Sequence, residues 1–407
     1  MSYLPADSWD ELARLGRNAL LVGVVAAVVC VAGALIYPGQ FFRAYLSAYV
    51  FWLGLPLGCL AILMLYHLTG GAWGFLVRRT LEAASRTIPL MAILFIPMAG
   101  GMQYLYVWAR PGEAASNPAV KNKVIYLNAP FFWARAALFF VIWAALAYTL
   151  SHWSRKQDET GDPRLPDRLG RLSGVGLAAY GVTITFASVD WVMSLMPAYR
   201  STIFGPVFAS SQLVSGLAFA LLVQAWLVTR PPLAAAYSEG ASIDLGNLLF
   251  TFVIIWAYLN FFQFMLIWIA NLRYDAIWFL ARTGAGWKWL AWALFLFGFA
   301  VPFLLLLTRD VKRSPRGLAK VAALLLFMQL VFDYYQVLPC FAGTRMAEHW
   351  LDFVTPFAVG GLWLANFIRE LGRAPLLPRQ DVSQVSAEEL RHHDQEQAER
   401  REAIRHG

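Results

Sequence analysis

A handful of ionisable side chains interrupt long apolar stretches of this 407-residue sequence. A charge in hydrocarbon is costly unless paired or hydrated, so each such residue is a starting point for function. Asp190 and Asp333 fall near the ends of two apolar runs, and Arg135 lies shortly after the start of another. Arg135 is placed to form an ion pair with either Asp190 or Asp333 that locks a bundle. Alternatively, one of the two carboxylates relays protons to or from the nearby surface. His67 follows Tyr66 at the end of a run, where an imidazole can exchange protons near neutral pH or serve as a hydrogen-bonded interfacial group. Glu82 and Arg86 sit four residues apart, on one helical face, and can pair with each other.

Other chemistries find less support. Cys30, Cys59 and Cys340 show no CxxC or CxxCH spacing, so the chain carries no iron-sulfur, zinc or c-type haem motif. A bis-histidine haem needs two facing histidines, and only His67 and His152 would share a leaflet, at the extreme ends of their helices. The 17 Trp, 16 Tyr and 29 Phe could line a flat quinone pocket, although aromatic residues are ordinary belt and core residues in membranes.

The elements that must position these groups are membrane spans. Hydrophobic residues make up 59% of the chain and charged ones 14%, which excludes a soluble globular enzyme. Ten apolar runs are each long enough to cross about 30 Å of hydrocarbon: 18–37, 44–69, 87–107, 130–152, 173–196, 202–229, 245–272, 287–307, 318–338 and 351–369. They lack the alternation of barrel strands, so an all-α polytopic membrane protein is expected. The first run has no small-residue cleavage motif behind it and reads as a retained helix. With the N-terminus inside, 23 Lys and Arg residues lie on that side and nine on the other, while Arg135 is within a span. This bias places both termini in the cytoplasm and accounts for the net charge of +8 without a nucleic-acid partner.

Residues 1–373 form one integral membrane domain and 374–407 a charged cytoplasmic tail on this reading. Within the domain, Asp190-Trp-Val-Met-Ser-Leu-Met-Pro197 and Asp333-Tyr-Tyr-Gln-Val-Leu-Pro339 share an Asp, an aromatic and a later Pro, four spans apart. That suits two tandem four-helix bundles, spans 2–5 (44–196) and 6–9 (202–338), with spans 1 and 10 peripheral. Gly54, Gly58 and Gly216 are the small residues expected to let helices approach closely.

Longer strings carry a family resemblance. Phe51-Trp-Leu-Gly-Leu-Pro-Leu-Gly-Cys-Leu-Ala-Ile-Leu-Met-Leu-Tyr-His-Leu-Thr-Gly-Gly-Ala-Trp-Gly74, Glu82-Ala-Ala-Ser-Arg-Thr-Ile-Pro-Leu-Met91 and Leu127-Asn-Ala-Pro-Phe-Phe-Trp-Ala-Arg135 belong to it. So do Asp190-Trp-Val-Met-Ser-Leu195 with Ser201-Thr-Ile-Phe-Gly205, and Asp244-Leu-Gly-Asn247 with Trp256-Ala-Tyr-Leu-Asn-Phe-Phe-Gln263. Over roughly residues 40–370 the chain resembles the F subunit of bacterial alternative complex III, a quinol oxidoreductase of the bacterial cytoplasmic membrane. That family lies within the polysulfide-reductase and nitrite-reductase membrane subunits. The resemblance implies a two-bundle fold beside a homologous C-type membrane subunit, an iron-sulfur B-type subunit and c-haem subunits, with cytochrome c or a terminal oxidase as electron acceptor. Haem c and iron-sulfur clusters would belong to those partners; quinol or quinone is the one cofactor this chain itself could meet. His67, Glu82, Arg135 and Asp190 match motif positions by this resemblance. Two strings depart from it: Gln103-Tyr-Leu-Tyr-Val-Trp-Ala109, where a histidine is expected, and Asn271-Leu-Arg-Tyr-Asp275, where Asn-Leu-Pro-Glu-Glu is expected.

The leading expectation is therefore a non-catalytic subunit that stabilises a quinol-oxidising complex and conducts protons between an inner His67/Glu82 region and an outer Asp190/Asp333 region. A quinol site within this chain is the alternative. A stand-alone secondary transporter is a third reading, disfavoured because strongly broken helices and a midplane charged cluster are not evident, although Pro56, Pro89, Pro97 and Pro302 could kink helices.

Overall fold

The computed structural model describes residues 5–112, 116–231, 233–284, 286–342 and 349–377. Among these residues it is built of helices and contains no strand. Among the described residues nine helices are long and apolar enough to cross a membrane, or ten with one bent pair counted as a single span. The chain is an all-α, multi-pass membrane protein. Most of the expected charged tail, 378–407, lies outside the described residues.

In chain order the helices are α1 (Ala6–Ile36), α2 (Pro38–Thr69), α3 (Ala72–Ser85), α4 (Ile88–Phe95), α5 (Met98–Leu105), α6 (Ala129–Thr160), α7 (Leu165–Trp191) and α8 (Phe204–Leu227). Then follow α9 (Glu239–Ala270), α10 (Arg273–Leu280), α11 (Trp287–Leu307), α12 (Arg309–Arg313), α13 (Pro315–Val337) and α14 (Trp350–Leu371). With α3 to α5 as one crossing, α1 begins and α14 ends on the same side, here the near face; the other is the far face.

The third span is a correction. A single helix over 87–107 is expected from hydropathy, but the crossing starts at Ala72 and bends by 65° between Phe95 and Met98. Pro89 stands in the first turn of α4 and Pro97 immediately precedes α5. Neither proline can donate the backbone bond that a continuous helix requires, which explains both interruptions. Arg78, Arg79 and Glu82 kept α3 out of the apolar run, yet all three are buried. The same bend overturns the expectation that no helix is strongly broken. Pro302 is accommodated differently: the helix runs as a π-helix over Leu294–Ala300 ahead of it. Pro56 stays inside α2 without a break.

At the centre, α2 and α8 cross closely. A Cβ on Gly58 would fall 1.9 Å from the Gln212 carbonyl oxygen, and one on Gly216 would fall 2.7 Å from the Cys59 nitrogen. Only glycine permits that approach, the small-residue packing expected in lipid. Around this crossing the neighbours correspond: α2 packs on α3 and α7 as α8 packs on α9 and α13, while α6 meets α7 as α11 meets α13. The outer helices α1 and α14 lie along each other, and α14 also packs on α2. Trp363 of α14 is buried and donates from Nε1 to the Thr87 hydroxyl at 2.8 Å, so α14 is more than a peripheral addition.

Candidate functional site

The polar interior divides into clusters at opposite faces. At the far face, Asn128 caps α6 by accepting from the Phe131 amide at 2.9 Å, so the helix starts squarely and carries Arg135 inward. Asp190 is the penultimate residue of α7, which packs against α6. Arg135 donates from Nε and Nη2 to the two Asp190 oxygens at 2.7 and 3.0 Å, a bidentate pair with 8% and 0% exposure. A third donor, Nη1, reaches the Tyr126 carbonyl at 3.1 Å, and the Tyr126 and Phe131 rings cover the guanidinium. Of the two partners open to Arg135, Asp190 is the one engaged. The pair closes over an aromatic core in which Phe95, Phe140, Trp143 and Trp191 contact one another.

Asp333 is a different case. It is 5% exposed, and among the described residues its Oδ1 has no hydrogen-bond partner. Gln329, one turn earlier on the same face of α13, is fully buried with neither amide atom partnered. Buried polar atoms are nearly always hydrogen-bonded, so two unsatisfied side chains a turn apart mark a place for a proton or an ordered water. Arg282, just ahead of α11, does not neutralise Asp333. It donates instead to the carbonyls of Trp278, Tyr335 and Gln336 at 2.5, 3.1 and 2.7 Å, with its guanidinium over the Trp278 ring. Burial lowers the Arg282 guanidinium below its usual value.

At the near face, α3 presents Arg78, Arg79 and Glu82 to α6. Glu82 accepts from Arg78 Nε at 3.2 Å, from Arg79 Nη1 at 2.6 Å and from the Ser154 hydroxyl at 2.5 Å. Arg78 also donates to Ser154 and Gln157 at 2.9 and 3.3 Å, and Arg79 pairs with Asp158. The Glu82–Arg86 pairing is corrected: the two arginines one turn before Glu82 take its oxygens. Arg86 turns to α14 and pairs with Glu370 at 2.9 Å, where Arg373 also binds at 2.5 Å. Arg79, Glu82, Arg86, Arg155 and Glu370 line one cleft between α3, α6 and α14. His67 lies in the last turn of α2, its ring beside Tyr66, while Gly170 of α7 approaches the His67 carbonyl.

No protein-family model matches the chain, and no curated protein matches it significantly. Its reading therefore rests on its own residues. The structure joins Arg135 to Asp190 and gathers Glu82 and Arg86 at one cleft through different partners; Asp333 stands apart from both clusters. Sequence reasoning missed Arg78, Arg79, Ser154, Gln157, Asp158, Glu370 and Arg282. The i−4 and i−3 spacing of Arg78 and Arg79 to Glu82 was a usable signal, whereas Glu370 lies far away in sequence and offered none.

A cavity of about 420 Å³ opens at the far face between the 122–127 loop and the end of α7. A site that oxidises a quinol needs a base for the hydroxyl protons. This cavity is lined by Lys123, Tyr126, Ser194, Tyr199 and Arg200 among others, with neither histidine nor carboxylate. It therefore holds neither of the two bases, carboxylate or histidine, expected for a quinol site in this chain.

Proposed function

We propose that this chain is a non-catalytic integral subunit of a bacterial quinol-oxidising electron-transfer complex of the alternative complex III type. One observation carries this reading: the residues of the resembling strings coincide with those that build the buried ionic networks. Glu82 is the hub of the near-face cluster, while Leu127–Arg135 and Asp190–Leu195 supply the cap, the cation and the carboxylate of the far-face pair. Residues chosen for buried pairing hold helices in register, which suits a scaffold for neighbouring redox subunits. The bias of Lys and Arg toward the near face supports a cytoplasmic-membrane protein with both termini in the cytoplasm.

Its partners on this reading are a homologous C-type membrane subunit, an iron-sulfur B-type subunit and c-haem subunits, with electrons passing through them. The chain's own contribution is structural, together with a proton-exchanging group on α13. Asp190 is held by both of its oxygens, so of these two carboxylates Asp333 is the one assigned that exchange. Mild-detergent purification of the tagged full chain from its own cells tests the assembly: haem-containing, iron-sulfur and homologous membrane subunits should co-purify. Recovery of a colourless, solitary protein would refute it and favour the transporter reading, for which the 65° bend is the supporting feature. Within a purified complex, Asp333→Asn should lower proton-coupled turnover while assembly stays normal. Unchanged turnover would remove Asp333 from any proton path.

A further inference from the structure

The far-face cavity has a chemistry that neither the ion pairs nor the proposed assembly uses. Its wall carries two cations, Lys123 and Arg200, and no acidic residue. Among the described residues neither cation is in an ion pair: Lys123 Nζ donates to the Pro197 carbonyl at 2.6 Å, a neutral acceptor. Asp190 lies close in sequence to the cavity-lining Val189 but is already neutralised by Arg135. Burial and the neighbouring Arg200 charge lower the Lys123 ammonium below its usual value. Two like charges in one concavity are mutually unfavourable, and an anion between them would relieve this.

The loop is built to hold its position. Leu127 and Tyr126 both donate backbone bonds to the Lys123 carbonyl at 2.7 and 2.9 Å, and the Asn128 amide ties down the Val124 and Ile125 carbonyls. Preformed sites of about 300–1,000 Å³ are the usual size for small ligands. The surroundings are apolar: Ile125 on the rim is 92% exposed. Along the far-face half of α7, Val182 and Phe186 are exposed by 59% and 43%, and at helical spacing they lead to Val189 and Met193 in the cavity wall. An uncovered apolar track running into a cationic pocket fits an amphiphile with an anionic head.

We propose that this cavity binds the phosphate headgroup of an anionic phospholipid from the far-face leaflet, with Lys123 and Arg200 on the phosphate and the acyl chains along the exposed stripe of α7. Arginine presents a planar fork to phosphate and lysine a point charge, so the two together suit a headgroup held at the membrane boundary. The inference is independent of the proposed assembly, because it uses only this chain's surface.

The test is binding of short-chain phosphatidylglycerol to the delipidated full-length protein in neutral detergent, read by thermal shift and native mass spectrometry. Phosphatidylcholine of the same chain length and inorganic phosphate are the comparison ligands. Phosphatidylglycerol should raise the midpoint and remain bound, while the other two do neither. Lys123→Gln and Arg200→Gln should each weaken binding roughly fivefold, as expected for removing one basic residue near an anionic lipid. Arg273→Gln, an exposed cation on the same face, should leave binding unchanged. Each variant must keep the wild-type midpoint without lipid, and if Lys123→Gln does not fold, Arg200→Gln decides alone. Equal losses in all three variants would mean unspecific attraction, and equal stabilisation by inorganic phosphate would mean a free-anion site; either overturns the lipid assignment.

Discussion

At the residue scale, Asp190 and Asp333 make opposite predictions although they occupy similar places in similar strings. Arg135 and Asp190 are both buried and bidentately paired, so removing either leaves an uncompensated charge at a cost of about 3–5 kcal/mol. Arg135→Ala and Asp190→Ala should each lower the thermal midpoint strongly in detergent, whereas Arg135→Met with Asp190→Leu should recover much of the loss. A double variant as unstable as the sum of the singles would show that the two groups act separately. Asp333→Asn breaks no hydrogen bond at Oδ1 among the described residues and should change the midpoint little by the same measurement. The far-face pair was legible in the sequence because few charges lie within the spans, which left Arg135 only two acidic candidates. The near-face network was not, because Glu82 had a plausible partner on either side. Only the packing of α3 against α6 and α14 shows that Arg78 and Arg79 turn to Glu82 while Arg86 turns away to Glu370.

At the scale of the element, the crossing of α2 and α8 is a contact between backbones. Gly58→Leu or Gly216→Leu must push the two helices apart, and overpacking of this kind costs typically about 1–3 kcal/mol. Fluorescence-detected size exclusion after heating should show an earlier loss of the monodisperse peak for both. Among the described residues a Cβ on Gly181 of α7 would meet no atom of a neighbouring element within 4 Å, so Gly181→Leu should behave as wild type; equal loss there would refute the close-contact explanation. Most spans were legible from apolar length, since about 20 residues are needed to cross hydrocarbon. What that criterion cannot see is a helix whose charges are satisfied inside the protein. Hence α3 falls outside the apolar runs, although its three buried ions pair with one another and with α6. Prolines were legible as kink sites but not their outcomes: Pro56 is absorbed in α2, whereas Pro97 accompanies a 65° turn.

At the scale of the whole molecule, the outermost layer depends on α14. Glu370 at its end is gripped by Arg86, which caps α3, and by Arg373, fixing α14 to the near face. Glu370→Gln should loosen that end, and limited proteolysis should then cleave the chain after α14 sooner than in wild type; identical cleavage rates would show that Trp363 and the α2 contact hold α14 unaided. The α1–α14 seam is close as well: a Cβ on Gly23 would lie 2.7 Å from the Leu362 nitrogen. Its consequence concerns the order of synthesis. Among the described spans, the first to emerge in translation has as its main neighbour the last to emerge. During translation α1 must therefore wait in the bilayer, held there by its own apolar character, which is the highest among the described spans. A chain truncated before Trp350 would leave α1 without that neighbour, so this seam can close only after α14 has entered the bilayer.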